Sequence, residues 1–160
     1  MLKEIFHQLD VWVTDENIYA SQNGYRSFPK CEFKIVGQAA LMEAMLKIEF
    51  AATVDVDAMT NASYEVIAKF DQLLKANGLE LDPLSGEIWM PAETIYVDLY
   101  EGAWVLAQRA EPEYIMVSKA VKAPQKNKIL LGRYIAARPP QQFFKLCEKY
   151  NVNLAEILRI

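Results

Sequence analysis

Residues 33–57, FKIVGQAALMEAMLKIEFAATVDVD, decide the fold of this chain. Polar and apolar side chains alternate over residues 32–36, which predicts a strand that ends at Gly37. Residues 38–47 are rich in strong helix formers and lack β-branched side chains, so they predict a helix. Residues 48–59 read as a second strand. The stretch therefore predicts a strand that passes through a tight glycine turn into a helix and then into a second strand.

The rest of the chain predicts a mixture of strands and helices. Hydrophobic periodicity and turn residues assign the remaining elements. They are a short helix over residues 2–9, a loop over 20–30, a helix over 64–76, strands over 88–90, 95–99 and 104–107, a helix that starts at residues 111–113, and helices near 127–137, 140–150 and 153–159. A strand-rich part followed by helices predicts an α+β fold. We interpret residues 1–160 as one domain, with a sheet-containing core over 1–110 and a helical part over 111–160.

The composition favours a cytoplasmic protein. The sequence contains no run of about 18 apolar residues, so it predicts no membrane-spanning helix. The N-terminal residues lack the apolar core and cleavage site of a signal peptide. Cys31 and Cys147 are the only cysteines, and in a reducing compartment we expect buried thiols rather than a disulfide.

Charge is distributed unevenly along the chain. Residues 1–116 hold 8 Lys/Arg and 19 Asp/Glu, a net charge of −11, whereas residues 117–160 hold 9 Lys/Arg and 2 Asp/Glu, a net charge of +7. Such asymmetry is typical of a basic surface for phosphate or nucleic acid. The alternative interpretation is that the two halves attract each other and that each helix solvates its outer face.

Residues 53–57, TVDVD, contain the most informative motif. On a strand, successive side chains point to opposite faces, so Val54 and Val56 are expected to face the core while Asp55 and Asp57 share the other face. Two neighbouring carboxylates repel each other, and a hard divalent cation such as Mg²⁺ would offset that repulsion. The alternative is a solvent-facing strand whose charges discourage edge pairing.

Gly37 lies 18 residues before Asp55, at the predicted strand-to-helix turn. Glycine lets the backbone approach a ligand closely, and the N-terminus of a following helix offers free N–H groups to a phosphate. A phosphate site beside a two-carboxylate metal site suits phosphoryl or nucleotidyl transfer. Taken alone, a glycine at a strand end usually makes only a turn.

These segments resemble a known family. Residues 35–41, IVGQAAL, followed by 53–57, TVDVD, resemble the glycine turn and paired aspartates of the nucleotidyltransferases. The likeness is greatest to the compact group that includes abortive-infection toxins of bacterial toxin–antitoxin systems. It continues at residues 110–119, AEPEYIMVSK, and covers roughly residues 33–135.

The resemblance implies a minimal nucleotidyltransferase-like mixed sheet and a set of site residues. Gly37 and Gln38 would meet the phosphates of a nucleoside triphosphate, Asp55 and Asp57 would bind Mg²⁺, and Lys119 would face the nucleotide. The implied activity is transfer of a nucleoside monophosphate to an acceptor. Candidate acceptors are tRNA, another RNA or a protein, and candidate partners include an antitoxin-like protein.

The sequence also departs from the family pattern. Gln38 replaces the usual second glycine or serine, so it would either obstruct the phosphates or contribute its amide. The expected third carboxylate, which would act as general base, is assigned to Asp98, with Glu101 as the alternative. Residues 125–128, QKNK, lack the acid of the family's basic–acidic pair.

Two alternatives to catalysis therefore stay open. The first is an inactive nucleotidyltransferase fold that serves as a binding or regulatory module. The second is an RNA-binding module, which would use a basic cluster made of Lys122, Lys126, Lys128, Arg133 and Arg138. The same basic side chains also suit the solvated faces of helices.

Overall fold

The computed structural model describes residues 1–159. Helices and strands alternate up to Leu81, two further strands follow up to Ala110, and the rest of the chain is helical. The helices are α1 (Leu2–Asn23), α2 (Gly37–Glu43), α3 (Tyr64–Lys75), α4 (Pro112–Lys122), α5 (Lys128–Ala136), α6 (Gln141–Lys149) and α7 (Leu154–Ile157). The strands are β1 (Cys31–Val36), β2 (Asp55–Thr60), β3 (Glu80–Leu81), β4 (Tyr96–Glu101) and β5 (Val105–Ala110). The predicted α+β class is confirmed.

The five strands form one open mixed sheet in the order β3-β2-β1-β5-β4. The central strand β1 is antiparallel to β2 and parallel to β5. The register of β1 places Val36 opposite Asp57 on one side and Ile35 opposite Arg109 on the other. The end of β1, where the glycine turn begins, therefore lies beside the start of β2.

One face of the sheet packs against α1 and α3 through three fully buried aromatic rings. Phe6 of α1 lies 5.3 Å from Phe33 of β1 and 4.9 Å from Phe70 of α3, measured between ring centroids. Phe33 and Phe70 are also 4.9 Å apart. Each ring buries a large apolar area, so this cluster anchors both helices on the sheet.

Helix α1 is much longer than the helix predicted over residues 2–9. It extends to Asn23, and Gly24 ends it in the left-handed conformation with φ 71°. The buried stripe continues beyond Leu9 through Val13, Asn17 and Ala20. The stripe includes polar residues, which obscured its hydrophobic periodicity in the sequence. Asn17 can be buried because its side-chain amide forms hydrogen bonds with the backbone of Phe28 instead of with water.

The segment between α2 and β2 also differs from the prediction. The helix predicted over residues 38–47 ends at Glu43, and the strand predicted over 48–59 begins only at Asp55. Residues 44–54 form an irregular loop, which we call the site loop. The composition of this loop resembles that of a strand, but the loop has no neighbouring strand to pair with. Strand β1 ends at Val36, which pairs with Asp57 of β2.

Residues 88–90 are not a strand either. They follow a short 3₁₀ turn, and the ring of Trp89 packs edge-on against Tyr150 while its backbone carbonyl accepts a hydrogen bond from Ser118. Tertiary contacts with the C-terminal helices thus replace sheet pairing here.

Among residues 1–159, no helix is both long enough and apolar enough to cross a membrane.

Candidate functional site

Gly37 and Asp57 lie against each other in the candidate site. Gly37 adopts φ +65°, a conformation that favours glycine. A Cβ atom at residue 37 would lie only 2.5 Å from Oδ2 of Asp57. The absence of a side chain at residue 37 therefore lets the Asp57 carboxylate lie directly against the glycine turn.

The two aspartates of the TVDVD motif share one face of β2, as predicted. Asp55 is exposed, Val56 is buried, and Asp57 is half-buried, in the alternation that a pleated strand imposes. The expectation for Val54 was wrong, because it lies just before the strand and is 59% exposed. Its position outside the paired segment removes it from the alternation.

Asp82 lies next to Asp57. Strand β3 runs parallel to β2 with Asp55 opposite Glu80, and the backbone N–H of Asp82 donates to the carbonyl of Val56. Burial, together with a side-chain hydrogen bond and repulsion from Asp82, raises the pKa of Asp57 to about 6. The Asp57 carboxyl therefore holds its proton to a higher pH than an ordinary aspartate does.

One open cavity of about 510 Å³ brings together four of the predicted site residues, Gln38, Asp55, Asp57 and Lys119. Its acidic lining consists of Glu49, Asp55, Asp57 and Asp82, and its basic lining of Lys119, Lys126 and Arg133. The other lining residues are Gln38, Phe50, Ala51, Ala52, Thr53, Asn127, Ile129 and Leu130. The size falls in the range of small-molecule sites, and the mixed charge suits an anion held with a cation.

Lys119, which is predicted to face the nucleotide, is the partly buried cation of the cavity. It lies on α4 and lines the cavity, and burial with repulsion from Lys126 lowers its pKa. Attraction to Asp57 acts in the opposite direction and favours the ammonium form. A partly desolvated cation beside the carboxylates is placed to contact an anionic ligand.

Gln38 contributes its amide to the site loop. Its Nε2 donates a 2.8 Å hydrogen bond to the carbonyl of Ala51. Arg133 of α5 holds the same loop from the other side, since its Nη1 donates to the carbonyl of Glu49 at 3.1 Å and its Nη2 lies 3.8 Å from the Glu49 carboxylate. Hydrogen bonds therefore hold the site loop against both α2 and α5.

Helix α2 has only seven residues, which bears on the expected phosphate site at its N-terminus. So short a helix presents a small dipole, so the backbone alone offers a phosphate little. Three cationic side chains supply the positive charge of the cavity instead: Lys119 on α4, Arg133 on α5 and Lys126 between these two helices.

Asp98 does not join the other carboxylates. It lies on the edge strand β4, and strands β1 and β5 separate it from β2. Three strand spacings amount to about 14 Å. Its Oδ1 accepts a 3.0 Å hydrogen bond from Gln108, and neither Asp98 nor Glu101 lines the cavity. The structure thus separates the predicted general base from the predicted metal ligands.

The basic cluster of the C-terminal part is also divided. Lys126 and Arg133 face the cavity, whereas Arg138 lines a separate pocket. Lys122 lies over the ring of Trp89, and Lys128 donates to the carbonyl of Arg159. The five cations therefore do not form one continuous strip for a nucleic-acid backbone.

The carboxylates fit a divalent cation in part. Oδ1 of Asp57 is buried and has no hydrogen-bond partner, so the protein leaves this charged oxygen unsatisfied. No three acidic, histidine or cysteine side chains among residues 1–159 converge as a complete metal cluster. Mg²⁺ commonly takes one or two carboxylates and completes its shell with water and phosphate oxygens, so Asp55 and Asp57 suit such a partial ligand set.

Sequence reasoning missed Asp82 and the site loop. Asp82 follows a two-residue strand within a segment that reads as a loop, and no motif marks it. Only its pairing beside β2 brings it to Asp57. Comparisons with protein-family models, curated proteins and solved structures find no match to this chain.

Proposed function

We propose that this chain binds a nucleoside triphosphate with Mg²⁺ and transfers its nucleoside monophosphate to an acceptor hydroxyl. The observation that supports this most strongly is the meeting of Asp57, Asp55 and Lys119 in one cavity at the Gly37 turn. Carboxylates and cations in the same open cavity suit a polyanion that arrives with a divalent cation.

Each residue has a role in this proposal. Asp55 and Asp57 would hold the cation, and Lys119 and Lys126 would neutralise phosphate oxygens. Arg133 holds the site loop. When bound, the cation would neutralise charge on the triphosphate and align the α-phosphate for attack. The absence of a side chain at Gly37 leaves room for the Asp57 carboxylate.

The transfer step needs a group that accepts a proton. The acceptor's hydroxyl oxygen forms a bond to the α-phosphorus, the bond from that phosphorus to the bridging oxygen breaks, and pyrophosphate leaves with the electron pair. We assign the hydroxyl proton to Asp82 rather than to Asp98, since Asp82 lines the cavity and Asp98 does not. Attack by a hydroxyl is compatible with RNA, tRNA and protein acceptors, and a toxin–antitoxin role stays within the proposal.

Binding can be tested by isothermal titration of ATP with Mg²⁺. The double variant Asp55→Asn with Asp57→Asn should lose Mg²⁺-dependent binding while its circular dichroism spectrum stays that of the folded protein. Asp98→Asn is the matched control, because it removes a carboxylate of the same sheet outside the cavity. Unchanged binding in the double variant would defeat the assignment.

Transfer itself needs a separate measurement, with α-³²P-labelled ATP and a mixture of cellular RNA and protein. Transfer of label to an acceptor by the wild type, with loss of that transfer in the double variant, would support nucleotidyltransferase activity. The separation of Asp98 from the other carboxylates favours the second candidate, a nucleotide-binding module without activity. Binding without any transfer of label would support that second candidate.

A cytoplasmic setting is part of the same proposal. Cys31 and Cys147 are both buried and free, as thiols are in a reducing compartment.

A further inference from the structure

The candidate cavity has an apolar side as well as a charged one. Phe50, Ile129 and Leu130 contribute its large apolar side chains. Phe50 is half-buried on the site loop, and Ile129 is 70% exposed in the first turn of α5. One exposed isoleucine is ordinary on a protein surface, but three large apolar side chains in a cavity that also holds charged residues suggest a ligand with an uncharged part.

Arg133 joins the two segments that carry these apolar side chains, the site loop and α5. Ile129 and Leu130 precede Arg133 on α5 by four and three residues, so both neighbour it on the helix surface. Arg133 donates to the carbonyl of Glu49, the residue directly before Phe50. Gln38 donates to the carbonyl of Ala51, the residue directly after it. Phe50 is therefore fixed on both sides and held next to α5.

We propose that Phe50 and Ile129 form the nucleobase subsite of this cavity, an inference that rests on the proposed nucleoside triphosphate function. Every base presents a flat face on which an aromatic ring can stack, and such stacking tolerates all four bases. The phosphates then lie toward Lys119 and Lys126. Gln38 and Arg133 are positioning residues for Phe50.

The subsite predicts weak base discrimination. Phe50, Ile129 and Leu130 have no side-chain donor or acceptor, so they contact the faces of a base and do not read its edges. ATP, GTP, CTP and UTP should therefore bind with affinities within about tenfold of one another, the purines more tightly because their rings are larger. A preference above about 100-fold for one base would overturn this inference.

Comparison of ATP with inorganic tripolyphosphate, both with Mg²⁺, separates the base subsite from the phosphate site. Phe50→Leu keeps an apolar side chain that packs the loop but removes the aromatic ring. It should weaken ATP binding about tenfold and leave tripolyphosphate binding unchanged. Gln38→Ala should show the same split, because it frees the carbonyl of Ala51 and loosens Phe50 without touching the cationic side chains.

Met45→Ala is the matched control, since Met45 lies on the same loop, is 82% exposed and does not line the cavity. Wild-type affinities for both ligands are expected there. Equal loss of ATP and tripolyphosphate in Phe50→Leu, or no loss of either, overturns the base subsite while the phosphate site stands. Failure of the wild type to bind either ligand overturns the proposed function itself, and the subsite with it.

Discussion

The carboxylate of Asp57 occupies the space that a Cβ atom at residue 37 would need, with Oδ2 2.5 Å from that position. Gly37 and Asp57 are 20 residues apart in sequence, and the site loop lies between them. Antiparallel pairing of β1 with β2 brings them together. The glycine turn and the acidic motif are therefore two parts of one structure, and a change at either residue acts on the other.

Gly37→Ala tests this relationship. The positive φ alone costs about 1–2 kcal/mol for a residue with a side chain, and the new methyl group would also displace the Asp57 carboxylate. We expect a total loss of about 3 kcal/mol in the free energy of unfolding, measured by urea titration. Gly24→Ala is the matched control, because Gly24 has φ +71° and nothing within 4 Å of its Cβ position. Equal losses in the two variants would show that the contact with Asp57 is unimportant.

The pH dependence of stability tests the burial of Asp57. Its pKa rises from 3.8 in the unfolded chain to about 6 in the folded protein, so the folded state binds the proton more tightly. The resulting stabilisation is complete below about pH 4 and is lost as the pH rises through about 6. Screening by solvent reduces the effect to about 1 kcal/mol.

Wild type and Asp57→Asn should be compared in urea titrations from pH 7.5 to 4.5 without divalent cations. The stability of the wild type relative to the variant should increase as the pH falls over this range. A difference that stays constant, or that changes in the opposite direction, would show that folding does not raise the pKa of Asp57.

Lys119→Met tests the electrostatic link between α4 and β2. Lys119 lowers the pKa of Asp57, so its removal should raise that pKa further and move the pH-dependent loss of stability upward. Affinity for ATP with Mg²⁺ should also fall about tenfold, equivalent to 1.4 kcal/mol. Lys145→Met is the control with the same change of charge, on α6 and outside the cavity. An identical response of the two variants would remove Lys119 from the site.

Asp10→Ala tests how α1 holds the turn between β4 and β5. The buried Asp10 carboxylate accepts hydrogen bonds from the backbone N–H groups of Ala103, Trp104 and Val105 and from the hydroxyl of Tyr100. Loss of these bonds leaves buried donors unsatisfied, and we expect destabilisation by about 3 kcal/mol.

Asp15→Ala is the matched control for this variant, because Asp15 is exposed on the same helix. It should change the free energy of unfolding by less than about 0.5 kcal/mol. A similar small change in Asp10→Ala would contradict the role of Asp10 in holding the turn.

The sequence predicted those features that depend on local geometry. The pleat of a strand alternates side chains every residue, so TVDVD alone placed Asp55 and Asp57 on one face. The glycine turn at residue 37 and the helix from Tyr64 follow from backbone preferences and helical periodicity in the same way. These properties depend only on neighbouring residues, so the amino-acid sequence is sufficient to predict them.

The order of the strands does not follow from local pattern, and it decided which carboxylates meet. Asp98 has a plausible strand position, but β4 pairs at the far edge of the sheet, whereas the two-residue strand β3 delivers Asp82 to the side of Asp57. Strand pairing depends on hydrogen bonds between segments far apart in the chain, which local periodicity does not encode. Composition and short-range pattern thus specified the α+β class and the paired aspartates. Long-range pairing brought Asp82 beside them, and two hydrogen bonds to the site loop shaped the cavity.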